Sequence, residues 1–104
     1  MEGLELTSFE IISAVGAARS SFMEAISLAS EGEFEGAKKK IEEGNVYFVD
    51  GHKAHASLVQ DEAAGKQIQM TLLLTHAEDQ MMSAEIFKTL AYEFIKLYKE
   101  IKTK

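Results

Sequence analysis

Apolar residues recur every three to four positions along most of the chain, the spacing that places side chains on one face of an α-helix. The first such face comprises Ile12, Val15, Phe22, Ile26 and Ala29. Thr7 and Glu10 have the form of a capping box. In this motif a threonine precedes the first turn of a helix, and the side chain of a glutamate three residues later accepts a hydrogen bond from the backbone N–H of that threonine. We therefore predict helix 1 over about residues 8–30, followed by a polar, glycine-containing turn at residues 30–33.

The second segment carries a seven-residue repeat, which also keeps side chains on one helical face. One series of this repeat is Phe34, Ile41, Phe48 and His55, and a companion series is Asn45, His52 and Val59. Helix 2 is predicted over about residues 34–63, with Gly65 as its C-terminal cap because glycine reaches the left-handed conformation cheaply. Gly44 and Gly51 weaken this helix, each by about 1 kcal/mol relative to alanine. Gly16, in the middle of helix 1, is interpreted as a close contact between helices.

A third helix is predicted over about residues 72–101, after residues 66–71, which we interpret as a loop because no partner strand exists. Its main series is Leu73, Gln80, Phe87, Phe94 and Ile101, with His76, Ser83, Leu90 and Leu97 at the half-heptad steps. Further apolar residues cover most of its remaining circumference: Met81, Met82, Ile86, Ala91, Tyr92, Ile95 and Tyr98. A helix that is apolar nearly all round is usually buried on more than one side, so we expect helix 3 to face other subunits as well.

Short turns make neighbouring helices antiparallel, and 104 residues suffice for one core. The prediction is therefore an all-α, antiparallel three-helix bundle that forms a single domain over residues 1–104. The absence of proline agrees with long helices, and a composition of 46% hydrophobic and 27% charged residues excludes a disordered chain.

Charge and composition exclude several classes of function. The formal net charge is -6, with 11 Lys and Arg against 17 Asp and Glu, so the chain is a poor candidate for binding nucleic acid. The absence of cysteine excludes disulfides, thiolate zinc sites and thiol nucleophiles. Uninterrupted apolar runs are only a few residues long, so we predict neither a membrane-spanning segment nor a signal peptide.

Polar residues interrupt the apolar pattern of helix 3 in one turn. His76 and Gln80 fall on its main series, whereas Asp79 is stacked with Met82 and Ile86 on another largely apolar stripe. A carboxylate buried there would require a cation or hydrogen-bond donors. From periodicity alone three alternatives stay open: His76 is a satisfied core histidine or a surface residue at the helix end, Asp79 is solvated near the helix start, or the two form a site.

The histidines of helix 2, His52 and His55, fall on its inner faces. Their spacing would suit two metal ligands, but a dedicated site needs three or four, so buried structural histidines are the preferred interpretation. A metal-binding bundle built on His52, His55 and His76 is the weakest hypothesis. The run at residues 38–40 is interpreted as a solvated face.

The turn at residues 72–82, Leu-Leu-Leu-Thr-His-Ala-Glu-Asp-Gln-Met-Met, resembles the signature of the lactose/cellobiose-type IIA proteins of the phosphoenolpyruvate-dependent sugar phosphotransferase system. The likeness extends along the chain from about residue 9 to residue 101. Residues matching the first-helix pattern are Ile11, Ile12, Ser13, Gly16, Ala18, Arg19 and Ser20. Those matching the second are the run at residues 51–55 followed by Leu58, Gln60, Glu62, Ala63 and Gly65.

The resemblance implies a cytoplasmic, homotrimeric phosphocarrier, a phosphotransferase component. His76 would accept a phosphoryl group from the phosphohistidine of HPr and pass it to a cysteine of the cognate IIB protein, for use by the membrane component IIC. Asp79 would lie at the trimer axis, where three copies gather around one divalent metal, Mg²⁺. Glu78 and Gln80 would line the phosphoryl pocket. Direct insertion into the membrane is not expected.

The sequence departs from the family pattern around this pocket. The family commonly has glutamine at the positions of Glu78 and His55, a second histidine at that of Gln80 and a polar or ring-bearing residue at that of Ala14. Because the phospho-acceptor position is kept, the chemistry should survive. The IIA protein does not touch the sugar, and a cellobiose- or chitobiose-type disaccharide is favoured over lactose. The alternative function is a non-catalytic trimeric helical adaptor that uses helix 3 only for assembly.

A neutral imidazole nitrogen is a good phosphoryl acceptor near pH 7. Because His76 lies in the first turns of helix 3, free backbone N–H groups and the positive end of the helix dipole would help to hold the phosphate, provided that the helix does not start well before residue 70.

Overall fold

The computed structural model describes residues 3–103, which form three long helices and two connections. Helix α1 spans Gly3–Ser30, α2 spans Phe34–Ala63 and α3 spans Leu72–Lys102. Residues 3–103 contain no strand, and residues 66–71 form an irregular loop as predicted. The predicted all-α class with three helices is confirmed.

The start of α1 differs from the prediction. The helix begins at Gly3 rather than near residue 8, and the hydroxyl of Thr7 donates a hydrogen bond to the backbone oxygen of Gly3 at 3.1 Å. The prediction of Thr7 as the cap was therefore wrong. A threonine followed by a glutamate three residues later also fits the second turn of a longer helix, where the hydroxyl bonds backward to a carbonyl.

Glycine ends both of the first two helices. Gly32 and Gly65 have φ of +82° and +94°, in the left-handed region. At the end of α2, the N–H of Gly65 donates to the oxygen of Glu62 and the N–H of Lys66 donates to the oxygen of Asp61, each at 3.0 Å. This pair of bonds satisfies the last carbonyls of the helix, so the prediction of Gly65 as its cap is confirmed.

Helix α1 is the centre of the bundle: α2 and α3 both pack along it, and they contact each other much less. Its buried face comprises Ser8, Ile11, Val15, Ala18, Ser21, Phe22, Ala25 and Ala29. The molecule is elongated, 56 × 23 × 19 Å, and its core falls into two clusters along this length. Phe22 and Ile41 belong to one cluster, and Ile11, Leu74 and Met81 belong to the other.

Alanines make up three of the five buried residues on the inner face of α3. Its buried residues are Leu74, Ala77, Met81, Ala84 and Ala91. The predicted main series through Leu73, Gln80 and Phe94 was therefore wrong by one position, about 100° of helix rotation. The physical reason is that alanines at seven-residue spacing let α3 approach α1 closely. The bulky side chains of α3 other than Leu74 and Met81 therefore lie at the edge of the contact or face outward.

Helix α2 follows the same rule, with a buried series of Ala37, Gly44 and Gly51. The predicted series through Phe34, Ile41, Phe48 and His55 is buried or half-buried, but His52 and Val59 of the companion series are exposed. A Cβ added at Gly44 would lie 2.5 Å from Cε1 of Phe22, and one at Gly51 would lie 2.6 Å from Cγ1 of Val15. These glycines are the close contacts between helices. A Cβ at Gly16 would meet nothing within 4 Å, so the interpretation of Gly16 was wrong for the protomer.

Within residues 3–103, one helix, α1, is long and apolar enough to cross a bilayer by length and composition alone. The expectation of no such segment rested on uninterrupted apolar runs, whereas a long helix can reach that mean hydropathy with scattered polar residues. We interpret α1 as the core helix of the bundle, because its buried face packs against both neighbouring helices.

Candidate functional site

Helix α3 begins with a side-chain cap. The hydroxyl oxygen of Thr71 accepts a hydrogen bond from the N–H of Leu74 at 3.0 Å, which satisfies one of the free donors of the first turn. His76 follows in the second turn. The helix thus starts at Leu72, after residue 70, as the hypothesis of a phosphate near its N-terminal end requires.

His76 is exposed in the protomer, and its imidazole makes no hydrogen bond with any residue between 3 and 103. The interpretation of His76 as a satisfied core histidine is therefore wrong. Its position on the predicted core series was also wrong, because the inner face of α3 is centred on Ala77 and Met81 instead. An exposed imidazole with unengaged nitrogens is open to a reaction partner from outside the chain.

Glu78 points toward α2, where one of its oxygens, Oε1, lies 2.6 Å from Nε2 of His55. The side chains are 22% exposed for His55 and 37% exposed for Glu78. His55 and Glu78, which both differ from the glutamine common in the family, are thus joined by one hydrogen bond. His55 is thus the half-buried, hydrogen-bonded histidine that the sequence suggested.

Gln80 points toward α1, where its amide oxygen accepts a hydrogen bond from Arg19 at 2.8 Å. Both side chains are half-buried. Arg19 had been noted only as part of the family pattern of helix 1 and was not predicted as a site residue. The available signal was that Arg19 is the only arginine in the sequence and lies in an otherwise mostly apolar helix.

Asp79 is exposed and makes no hydrogen bond or ion pair with the described residues, 3–103. It precedes Met82 and Ile86 on α3, which are 59% and 60% exposed, so the apolar stripe predicted beside Asp79 faces outward in the protomer. Along this stripe lies a cleft of about 390 Å³ lined by Met82, Glu85, Ile86, Thr89 and Leu90.

The apolar surface of α3 continues past this cleft. Its large exposed side chains are Leu72, Met82, Ile86, Leu90, Tyr92, Phe94, Leu97 and Ile101. We call Met82, Ile86 and Leu90 the outer face of α3. Contiguous apolar surface of this kind marks an interaction surface in soluble proteins.

Within residues 3–103 of one protomer, no group of three or more His, Asp or Glu side chains could hold a metal ion. The hypothesis of a three-histidine metal site is therefore wrong: His55 is bonded to Glu78, and His52 is exposed and stacked on Phe48, with ring centroids 6.3 Å apart. A carboxylate such as Asp79 has the oxygen donors that a hard divalent cation prefers, but one protomer supplies a single copy.

The model of the family described as PTS system, Lactose/Cellobiose specific IIA subunit, matches residues 6–99. Over 100 residues the chain is 41% identical to the lichenan-specific phosphotransferase enzyme IIA component of Bacillus subtilis strain 168, covering 96% of this chain and 91% of that protein. It is 35% identical to the lactose-specific EIIA component of a Staphylococcus epidermidis strain, covering 93% of each chain.

Solved structures agree over the whole fold. The chain superposes on the cellobiose-specific enzyme IIA from Bacillus anthracis with a TM-score of 0.95 and 34% identity, covering 100% of this chain and 96% of that one. It superposes with a TM-score of 0.83 and 26% identity on a chain from the solution structures of the IIA(Chitobiose)–HPr complex of Escherichia coli, covering 98% of this chain and 99% of that one.

Proposed function

The chain belongs to the lactose/cellobiose-specific IIA family of the phosphotransferase system, and on that premise we propose that it is a phosphocarrier with His76 as the phosphoryl acceptor. The observation that carries this assignment to His76 is the exposure of its imidazole, free of hydrogen bonds to residues 3–103, in the second turn of α3.

In the proposed step, a neutral imidazole nitrogen of His76 attacks the phosphorus carried by the phosphohistidine of HPr. The new N–P bond forms on His76 as the N–P bond of HPr breaks, and the electron pair of the broken bond stays on the HPr imidazole. A second transfer moves the phosphoryl group to a cysteine of the cognate IIB protein. The main contributions of a protein to such transfers are to hold the reacting groups in line and to supply hydrogen-bond donors for the phosphoryl oxygens.

HPr is proposed as the donor because a structural neighbour of the same fold was solved in complex with HPr. The IIB protein and, indirectly, the membrane component IIC follow from membership of the family. On the strength of these proposed partners, we propose a cytoplasmic location.

The proposed sugar is a β-linked disaccharide of the cellobiose or chitobiose type, in preference to lactose. The similar proteins carry lichenan, lactose, cellobiose and chitobiose in their names, so they support the class of saccharide more than one member of it.

We further propose a homotrimer held together by α3. The outer face of α3 offers apolar surface that the protomer leaves in water, and Asp79 lies at one end of it. Three converging Asp79 carboxylates would repel one another, and one Mg²⁺ per trimer would relieve that repulsion with oxygen ligation. The other residues of this face contribute packing alone.

The second candidate, a trimeric helical adaptor without chemistry, is favoured by the same outer face, since assembly would explain it without His76. The two functions differ in what happens to His76. Glu78 and Gln80 would be structural in an adaptor, but they would border the phosphoryl pocket in a carrier.

The test is intact-mass spectrometry at alkaline pH after incubation with phosphoenolpyruvate, enzyme I and HPr. We expect one phosphoryl group per chain, labile to acid, and none in His76→Ala. His52→Ala is the matched control because this histidine is also exposed but lies on α2. A gain that persists in His76→Ala would refute His76 as the acceptor, and no gain in the wild type would favour the adaptor.

A further inference from the structure

The hydrogen bond between Arg19 and Gln80 lies on the His76 side of α3. Gln80 follows His76 by four residues, which is about 6 Å along the helix and nearly the same face. Helical side chains lean toward the N-terminus of their helix, so the amide of Gln80 covers the turn that carries His76. The 2.8 Å bond therefore places the guanidinium of Arg19 beside that turn.

This bond also fixes the orientation of the amide. A guanidinium can only donate hydrogen bonds, so the oxygen of Gln80 must face Arg19 and the NH₂ group is left for another acceptor. A glutamine held in this way presents donors, which suit an anion.

The charge of Arg19 has no counterpart in the protomer. Among residues 3–103, no carboxylate lies within ion-pair distance of its guanidinium, and its hydrogen bond is to a neutral amide. Arginine is rarely buried unless it is paired, and the planar fork of its donors matches phosphate oxygens. The chain as a whole carries a net charge of -6, so a phosphoryl group added to it needs local positive charge.

We propose that Arg19 is a phosphoryl-binding residue: its guanidinium, held by Gln80, stabilises the phosphoryl group carried on His76. The inference rests on the proposed phosphocarrier function. Arg19 forms no covalent bond in the transfer, and its donors bind the phosphoryl oxygens while Gln80 supplies the adjacent NH₂.

The first experiment equilibrates the full-length protein with HPr and phospho-HPr at a fixed ratio and measures the phosphorylated fraction by intact-mass spectrometry. Arg19→Met keeps the apolar stem but removes the charge, and we expect it to lower the ratio of phosphorylated to free protein by about tenfold, as loss of a charge-assisted hydrogen bond should. Arg19→Lys should recover part of this loss. Lys96→Gln removes one positive charge from an exposed position far along α3 and should match the wild type.

The second experiment follows the ³¹P resonance of the phosphohistidine against pH. A neighbouring guanidinium favours the phosphoryl dianion over the monoanion. The pH at the midpoint of the ³¹P chemical-shift titration should therefore be higher in Arg19→Met than in the wild type. A purely structural role for Arg19 would leave this midpoint unchanged. Gln80→Ala keeps the guanidinium but releases it, and should give an intermediate midpoint.

The outcomes separate the two proposals. If the wild type takes up no phosphoryl group, the phosphocarrier function itself fails. If the wild type is phosphorylated and Arg19→Met has the same equilibrium ratio and ³¹P midpoint, the role of Arg19 is refuted and the carrier function stands. If Arg19→Met unfolds below the assay temperature, the same two measurements are made on Arg19→Lys and Gln80→Ala. Wild-type equilibrium ratios and ³¹P midpoints in both variants would overturn the inference.

Discussion

The Nε2 atom of His55 lies 2.6 Å from Oε1 of Glu78, so a side-chain hydrogen bond joins α2 to α3 beside the turn that carries His76. Both side chains are partly shielded from water. Because α2 and α3 otherwise contact each other little, this bond is one of the few direct links between them.

A double-mutant cycle should measure this link. We expect His55→Ala and Glu78→Ala each to lower the free energy of unfolding, with a coupling energy of about 0.5–1 kcal/mol between them in urea denaturation. The exposed pair of Lys66 and Asp61, at 3.5 Å, is the matched control and should show a coupling near zero. Equal coupling in both pairs would contradict a structural role for the His55–Glu78 bond.

Gly44 should not tolerate alanine, although alanine favours helices. The added Cβ would lie 2.5 Å from the ring of Phe22, which is fully buried, so the ring must shift within the core or α1 and α2 must separate. We expect Gly44→Ala to cost about 1–3 kcal/mol of unfolding free energy, from denaturant titration. Gly16→Ala, which meets nothing within 4 Å, is the control and should instead stabilise by up to about 1 kcal/mol. Equal effects of the two substitutions would argue against the close packing of α1 on α2.

The outer face of α3 should hold the proposed trimer together. A charge at Ile86, which is 60% exposed in the protomer, would be buried on assembly without a partner. We expect light scattering to give three times the mass of the chain for the wild type and the mass of one chain for Ile86→Asp. Val59→Asp, at an apolar residue of α2 that is 53% exposed, should remain a trimer. A monomeric wild type at micromolar concentration would refute the assembly.

Asp79 should account for the proposed metal. Replacing a converging set of carboxylates by leucine removes both the ligands and their repulsion, so Asp79→Leu should leave the trimer intact or more stable and abolish binding of Mg²⁺. Isothermal titration with Mg²⁺ and melting with and without a chelator would measure this. Asp50→Leu, at an exposed carboxylate of α2, is the control. The proposal would be contradicted if the chelator left the melting temperature of the wild type unchanged and Asp79→Leu dissociated into monomers.

Lys40 should give a pH-dependent contribution to stability. Its ammonium bonds to Glu24 of α1 at 2.8 Å and to Glu43 at 3.3 Å, and these bonds raise the pKa of Lys40 above its ordinary value of 10.5. A raised pKa means that the contribution is fully present below pH 10.5 and is lost as the pH rises through the folded-state value.

The difference in melting temperature between the wild type and Lys40→Met should therefore shrink as the pH rises above 10.5. Lys38→Met, at an exposed residue of the same run, should show no such trend. A difference that is constant with pH would show that packing of the Lys40 stem, not its charge, is responsible. Residues 38 and 39 are exposed, as the interpretation of this run as a solvated face predicts, and Lys40 in addition bonds to Glu24.

Apolar spacing and glycine were enough to predict three helices and the end of α2 at Gly65, because these depend on contacts within a few residues. The start of α1 was missed because the Thr7–Glu10 pattern also fits the inside of a helix. Among the proposed site residues, His76 and Asp79 rest on the family likeness, and periodicity placed His76 on the wrong face. The sequence did not suggest Arg19, the proposed phosphoryl-binding residue, because its partner, Gln80, is on another helix.

The sequence by itself therefore determined that the chain is helical, where α2 and α3 begin and which family pattern it carries. Only the tertiary structure decided which faces meet: the small series of Ala37, Gly44 and Gly51 on α2 and the alanines of α3 turn toward α1. Residue size governs how closely two helix axes approach, and a periodicity of large apolar residues carries no information about that distance. Two of the pairs that join the helices, His55 with Glu78 and Arg19 with Gln80, follow from that approach and from no local pattern.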